Sequence, residues 1–237
     1  MHFASALIPG ILLRRYKRFL ADVRLENGDT TTVHTANTGS MLGCAEPGSR
    51  VWLSRASNPE RKYPLSWEIV ETTSNILVGI NTALPNRLVR EAIEQGVATE
   101  LQGYHRIRPE VVFGDERSRV DFLLEHDRDD KRCYVEVKNV TASIDKGIAL
   151  FPDAVSARGA KHLRELMGVV AQGYRGVLCF CVQRADVQEV RPYDALDPLY
   201  GATLRLALAA GVEAVAYRAD VAITGITLRY PLPVVCP

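Results

Sequence analysis

The chain has 237 residues, with 29 Lys plus Arg against 28 Asp plus Glu and a formal net charge of +1. That length is one large domain or two small ones, enough to bury a substantial core. A composition that is 47% hydrophobic and 24% charged excludes wholesale disorder, collagen and coiled coil, and the near-zero charge excludes a global field that would hold the protein on a polyanion. Any polyanion binding must therefore come from a local patch. The longest clean apolar stretch, Val177–Val182, is far short of the roughly 20 residues that cross a bilayer, so no membrane partner is expected. Phe3–Leu13 is apolar, but Arg14, Arg15, Lys17 and Arg18 follow that run, whereas a secretory signal carries its charges first. The expected location is cytoplasmic. The five cysteines are odd in number and form no C-x-x-C pair, which reads as reduced thiols in apolar strands.

In chain order, short β-rich runs come first: Phe19–Leu25, Thr30–Ala36, Val51–Ser54, Leu65–Glu71 and Ile76–Ile80, with Asn27-Gly28 as the strongest hairpin signal. Five short strands in about 80 residues suggest a small barrel of the oligonucleotide-binding type. The pattern changes near residue 80, so residues 1–80 and 81–237 are expected to form separate domains. Pro85–Gln95 has apolar residues at helical spacing, with Pro85 suited to the first turn and Gly96 to the stop. Arg108–Phe113, Arg119–Glu125 and Cys133–Val140 read as strands, the last two joined by the polar run His126–Arg132. A helix over Ala157–Gln172, a buried strand over Val177–Gln183, a helix over Pro198–Ala210 and a strand over Val212–Ala219 complete a mixed α/β sheet.

Side chains alternate along a strand, so Val120, Phe122 and Leu124 are expected on one layer and Asp121 on the other. In the next strand the same rule puts Val135 and Val137 on one face and Glu136 with Lys138 on the opposite face. If these strands pair, Asp121, Glu136 and Lys138 converge. Two carboxylates brought together repel, and a hard divalent cation, Mg²⁺ or Mn²⁺, relieves the repulsion through their oxygens. The ammonium would then orient a water or stabilise charge developing on a phosphate. This arrangement resembles the PD-(D/E)xK nuclease superfamily, with Val120 in place of the proline before the acid. By itself, E-x-K also describes a solvent-facing ion pair.

Longer blocks resemble the sugar fermentation stimulation protein A family: Asn37-Thr38-Gly39, Ser118 to Phe122, Glu136 to Thr141, Phe151-Pro152-Asp153-Ala154 and Arg158 to Leu163. The resemblance covers essentially the whole chain. It implies an OB-like β-barrel followed by a PD-(D/E)xK nuclease-like domain, and DNA binding linked to regulation of sugar-catabolism genes. Asp121, Glu136 and Lys138 fall on the metal and catalytic positions by match of motif. Whether such a site is catalytic, or the scaffold only grips DNA as a regulator, the resemblance leaves open. A sugar sensor is a third class, although no convergent polar and aromatic set stands out.

Several other residues are candidates. Arg14, Arg15, Lys17 and Arg18 interleave with Tyr16 and Phe19, and Arg61 and Lys62 lie near Trp52 and Trp67, giving cations for phosphates beside rings for bases. The two tryptophans themselves read as strand core. Arg158, Lys161 and His162 cluster at a helix start, where backbone N–H groups attract phosphate. Glu91, Glu94 and Glu100 could supply a further acid but read as exposed helix charges, and Gln183, at the end of a buried strand, could touch the site but reads as a polar strand terminus. A homodimer is expected only from the need for more phosphate contacts.

Overall fold

In a computed structural model of the chain, residues 1–58, 60–114, 116–144 and 147–237 are described. The first unit contains strands β1 (Ile8–Tyr16), β2 (Leu20–Leu25), β3 (Thr30–His34), β4 (Arg50–Arg55), β5 (Leu65–Glu71) and β6 (Leu77–Gly79). The hydrogen-bonded order is β3-β2-β1-β4-β5-β6, and a parallel contact between His34 and Ser66 joins β3 to β5. The first five strands therefore close into a barrel, and β6 extends from β5 outside the ring. Its interior is filled by Leu12, Val23, Val33, Leu53, Trp67 and Val70, all fully buried. Trp67 donates its Nε1–H to the Ile69 carbonyl and Trp52 is also buried, so both tryptophans belong to the core rather than to a base-stacking surface. Five of these strands match the sequence reading within a few residues. β1 was not expected, because Pro9 and Gly10 and then Arg14 and Arg15 interrupt its apolar pattern.

The second unit runs α1 (Pro85–Glu94), a 3₁₀ turn (Thr99–Leu101), β7 (Arg106–Phe113), β8 (Ser118–Glu125), β9 (Arg132–Val140), β10 (Gly147–Phe151) and α2 (Ala157–Ala171). It continues with β11 (Arg175–Val182), β12 (Val187–Pro192), α3 (Pro198–Ala209), β13 (Glu213–Ala222) and β14 (Gly225–Leu232). The main sheet has the order β14-β13-β11-β9-β8-β7. Its centre, β9, β11 and β13, is parallel, and the flanking pairs are antiparallel. Both faces are covered. Val177, Cys179 and Cys181 of β11 pack with Leu88, Val89 and Ala92 of α1, while Leu178, Phe180 and Val182 pack with Leu163 and Leu166 of α2 and Leu204 of α3. That strict alternation explains why β11 reads as one continuous apolar run.

β10 and β12 form a separate parallel pair, and β14 is an edge strand that tolerates Pro231. None of these three was expected. The two units meet where β6 reaches the end of β11: Gly79 donates its N–H to the Gln183 carbonyl, and Val78 bridges to Arg184. A Cβ on Gly79 would lie 2.5 Å from Gln183 Oε1, so glycine is needed for this approach.

Candidate functional site

The site is built where the β8–β9 ladder opens. The two strands pair from Glu125 with Arg132 up to Phe122 with Val135, and then part just before Asp121 and Glu136 would face each other. Pairing with β7 also skips Asp121, opposite Glu110, which sits at a φ of 54°. Asp121 Oδ2 accepts the Val137 N–H at 2.7 Å, so a carboxylate replaces the backbone partner on that edge of β9. Asn86 in the first turn of α1 donates to Oδ1 at 2.8 Å. The change of course also corrects a face assignment. Phe122 and Leu124 pack in the α1 layer, but Val120, beyond the opening, packs in the α2 layer.

Glu136 and Lys138 share the α2-facing side of β9, as the period-2 pattern requires, while Val135 and Val137 pack under α1. Lys138 Nζ donates to Glu136 Oε1 at 2.7 Å. His162 Nδ1 bonds to the same oxygen, and Arg158 Nε donates to His162 Nε2 at 3.2 Å. Glu136 Oε2 is buried and has no hydrogen-bond partner. Burial pushes the Glu136 carboxyl up, but the His162 hydrogen bond and the Lys138 charge outweigh it and hold the group below its ordinary value. Asp121 goes the other way: burial and then the Glu136 charge raise its carboxyl, and the Val137, Asn86 and Lys138 contributions recover only part.

The buried Glu136 carboxylate and the half-buried Asp121 carboxylate, the latter raised by burial and by the Glu136 charge, form with the unpartnered Oε2 a hard-oxygen donor set. That chemistry fits Mg²⁺ or Mn²⁺, which are commonly held by one or two carboxylates with water in the remaining positions. Among the described residues no group of three or more His, Cys, Asp and Glu side chains forms a fuller cage.

The accessory candidates fall elsewhere. Glu91 pairs with the chain's amino terminus and Arg87, Glu94 with Arg90, and Glu100 with Tyr217 and Thr99. The residue of α1 that reaches the site is Asn86, an amide rather than one of these acids. Gln183 is fully buried and donates to Asn139 Oδ1 at 2.7 Å. Lys161 donates to the Glu116 carbonyl, tying α2 to the β7–β8 turn.

In the barrel, Arg14 pairs with Asp22 on an exposed face, and Lys17 is exposed in the turn after β1. Arg15 instead donates to the carbonyls of Arg18, Asn37 and Gly39, and Arg18 donates to that of Thr38. Arg61 contacts Ser66, and Lys62 lies over the Tyr63 ring. The loop braced by Arg15 and Arg18 faces the segment after β10 across a cleft of about 320 Å³. Its walls include Arg18, Asn37–Gly39, Asn139 and Phe151–Ser156. A Cβ on Gly39 would come within 2.2 Å of Asp153 Oδ2, so these two blocks, 112 positions apart at the Met41–Asp153 contact, are built to touch.

Fold and site together define a two-domain protein in which a closed OB-type barrel abuts the end of a mixed α/β sheet carrying a largely buried acid–acid–lysine set. Residues 13–80 match the family model for the SfsA N-terminal OB domain, and residues 83–225 match that for the sugar fermentation stimulation protein RE domain. The chain belongs to the sugar fermentation stimulation protein family, SfsA. A sugar fermentation stimulation protein homolog from Pelobacter propionicus is 62% identical over 97% of both chains. One from Thioalkalivibrio sulfidiphilus is 57% identical over 99% of this chain and 98% of its own. The solved structure of Pyrococcus furiosus SfsA in complex with Ca²⁺ is similar with a TM-score of 0.88 at 28% identity, covering 99% of this chain and 98% of that one. Among the described residues no helix is long and apolar enough to cross a membrane.

Proposed function

We propose that this chain is a DNA-binding protein whose second domain holds a divalent cation, Mg²⁺ or Mn²⁺, on Asp121 and Glu136 and hydrolyses phosphodiester bonds. The observation that carries this reading is the opened β8–β9 seam, where the buried Glu136 and half-buried Asp121 carboxylates sit near Lys138 and Glu136 Oε2 lacks a partner. That the Pyrococcus furiosus relative was solved with Ca²⁺ supports a hard divalent ion in the family. When bound, such an ion supplies Lewis-acid activation of water and neutralises phosphate charge. In this reading the carboxylates of Asp121 and Glu136 hold the ion. Lys138, within reach of Glu136, orients the attacking water or screens the phosphate. Arg18 and the inter-domain cleft lead a strand from the barrel toward the end of β9, with Arg14, Lys17, Arg61 and Lys62 as outer phosphate contacts and Arg158 and Lys161 as contacts beside the site. A second reading, a regulator that binds DNA without cutting it, is favoured by one observation: the described residues offer only two acids to a metal. In either case the link to sugar catabolism rests on family resemblance.

The test is cleavage of plasmid, linear duplex, single-stranded DNA and RNA with Mg²⁺, Mn²⁺ or chelator, beside folded Asp121→Ala and Lys138→Ala variants. Metal-dependent cleavage lost in both variants supports the nuclease reading. Salt-sensitive binding with no product on any substrate supports the regulator.

A further inference from the structure

Both donors that reach Glu136 land on one oxygen. Lys138 Nζ and His162 Nδ1 each bond Oε1, while Oε2 is buried and unpartnered. A carboxylate has lone pairs on both oxygens and can spread two donors across them, so crowding both onto Oε1 needs a cause. The cause lies on α2. His162 is 4% exposed, and the helix that carries it is fixed at its start by Ser156, which accepts the Gly159 N–H at 2.9 Å. One turn earlier, Arg158 donates its Nε–H to His162 Nε2. A guanidinium only donates, so Nε2 carries the lone pair and the ring proton is on Nδ1, aimed at Glu136. Both ring nitrogens are thereby committed, and His162 is not itself a ligand.

We propose that His162, locked by Arg158, is a positioning residue that holds Glu136 Oε1 and thereby reserves Oε2 for the divalent cation. The inference rests on the metal-site reading above. It adds a device that acts on the ligand rather than on the substrate, in the way that outer hydrogen-bond partners orient metal-binding carboxylates.

The test is direct binding of Mn²⁺ to the full chain without nucleic acid, followed by the electron paramagnetic resonance signal of the free ion, with thermal unfolding recorded in chelator. His162→Ala should weaken Mn²⁺ binding by about 10–100-fold, the usual effect of losing such a partner. His162→Asn, whose amide nitrogen can stand where Nδ1 stood, should recover most of that loss. A purely structural role would instead lower the unfolding temperature of both variants without separating their affinities. Wild-type affinity in His162→Ala, with affinity lost in Glu136→Gln, would overturn the positioning role and leave the metal site intact. Wild-type affinity in Glu136→Gln and Asp121→Asn as well would remove the metal site and this inference with it. Should His162→Ala not fold, Arg158→Ala on the exposed side of α2 carries the test: weaker Mn²⁺ binding by about 10-fold is expected, and unchanged binding overturns the lock.

Discussion

Replacing Lys138 by Met removes the cation that bonds Glu136. The Lys138 and Glu136 side chains are 12% and 5% exposed, with Nζ 2.7 Å from Oε1, so this is a buried pair. Removing one partner of such a pair costs about 3–5 kcal/mol, because the surviving charge is left uncompensated. Here the survivor keeps its His162 bond, so the lower end, about 3 kcal/mol, is expected at neutral pH. The pH dependence has a definite sign. Glu136 is held below its ordinary value in the folded state, so its contribution is present above the unfolded carboxylate range and lost as pH falls through the folded value. Lys138 is one cause of that lowering, so the cost of Lys138→Met should be smaller at an acid pH within the carboxylate range than at neutral pH. The assay is urea unfolding in chelator followed by far-ultraviolet circular dichroism. Trp52 and Trp67 both lie in the barrel, so tryptophan emission reports the other domain and should move little. In the same variant, Mn²⁺ at about 100 times its dissociation constant should restore about 2.7 kcal/mol. A loss below about 1 kcal/mol, or an equal loss at both pH values, would refute the reasoning that the pair is buried and coupled.

Asp121→Asn should make the protein more stable at neutral pH while abolishing its response to Mn²⁺. Its carboxyl is raised in the folded state, so ionisation opposes folding above the folded value and stops opposing it as pH falls. Parallel melts of the variant and wild type across that range would show the gap closing at acid pH. Arg15→Ala should lower stability by about 1.5–3 kcal/mol, since the guanidinium braces three carbonyls, measurable as a shift in the tryptophan unfolding transition. Arg14→Ala and Lys17→Ala should leave that transition in place and instead reduce the salt dependence of DNA binding by about one counterion each. Among the thiols, Cys44, Cys133 and Cys179 are pushed up to about 12 by burial, and Cys181 is also raised. A native thiol titration should therefore label the half-buried Cys236 first, and rapid labelling of a second thiol would contradict the packing.

The motif residues were legible because strand periodicity alone puts Glu136 and Lys138 on one face, and the hairpin between β8 and β9 brings Asp121 near. The α1 and α2 helices were equally legible, since each has a stripe at helical spacing and a residue that starts or stops it. What escaped was of two kinds. β1 is interrupted by Pro9 and Gly10, and β10, β12 and β14 are peripheral or edge strands, in which only part of the pattern is buried and proline is tolerated. Asn86 and the role of His162 depend on contacts across 35 and 26 residues, and no local pattern encodes which helix turn faces which strand.

The basic cluster after residue 13 shows the same division. Composition marks Arg14, Arg15, Lys17 and Arg18 alike as phosphate contacts, but the fold gives them different surroundings: Arg15 braces a loop, Arg18 bonds that loop and also lines the inter-domain cleft, Arg14 lies on an open face and Lys17 in an open turn. Sequence alone determined the chemistry available to this protein, because residue type and spacing set which groups share a strand face. Tertiary structure decided which of those groups are desolvated, paired or left with a free oxygen. Burial and partner choice arise only when β8 parts from β9 and α2 closes over the opening.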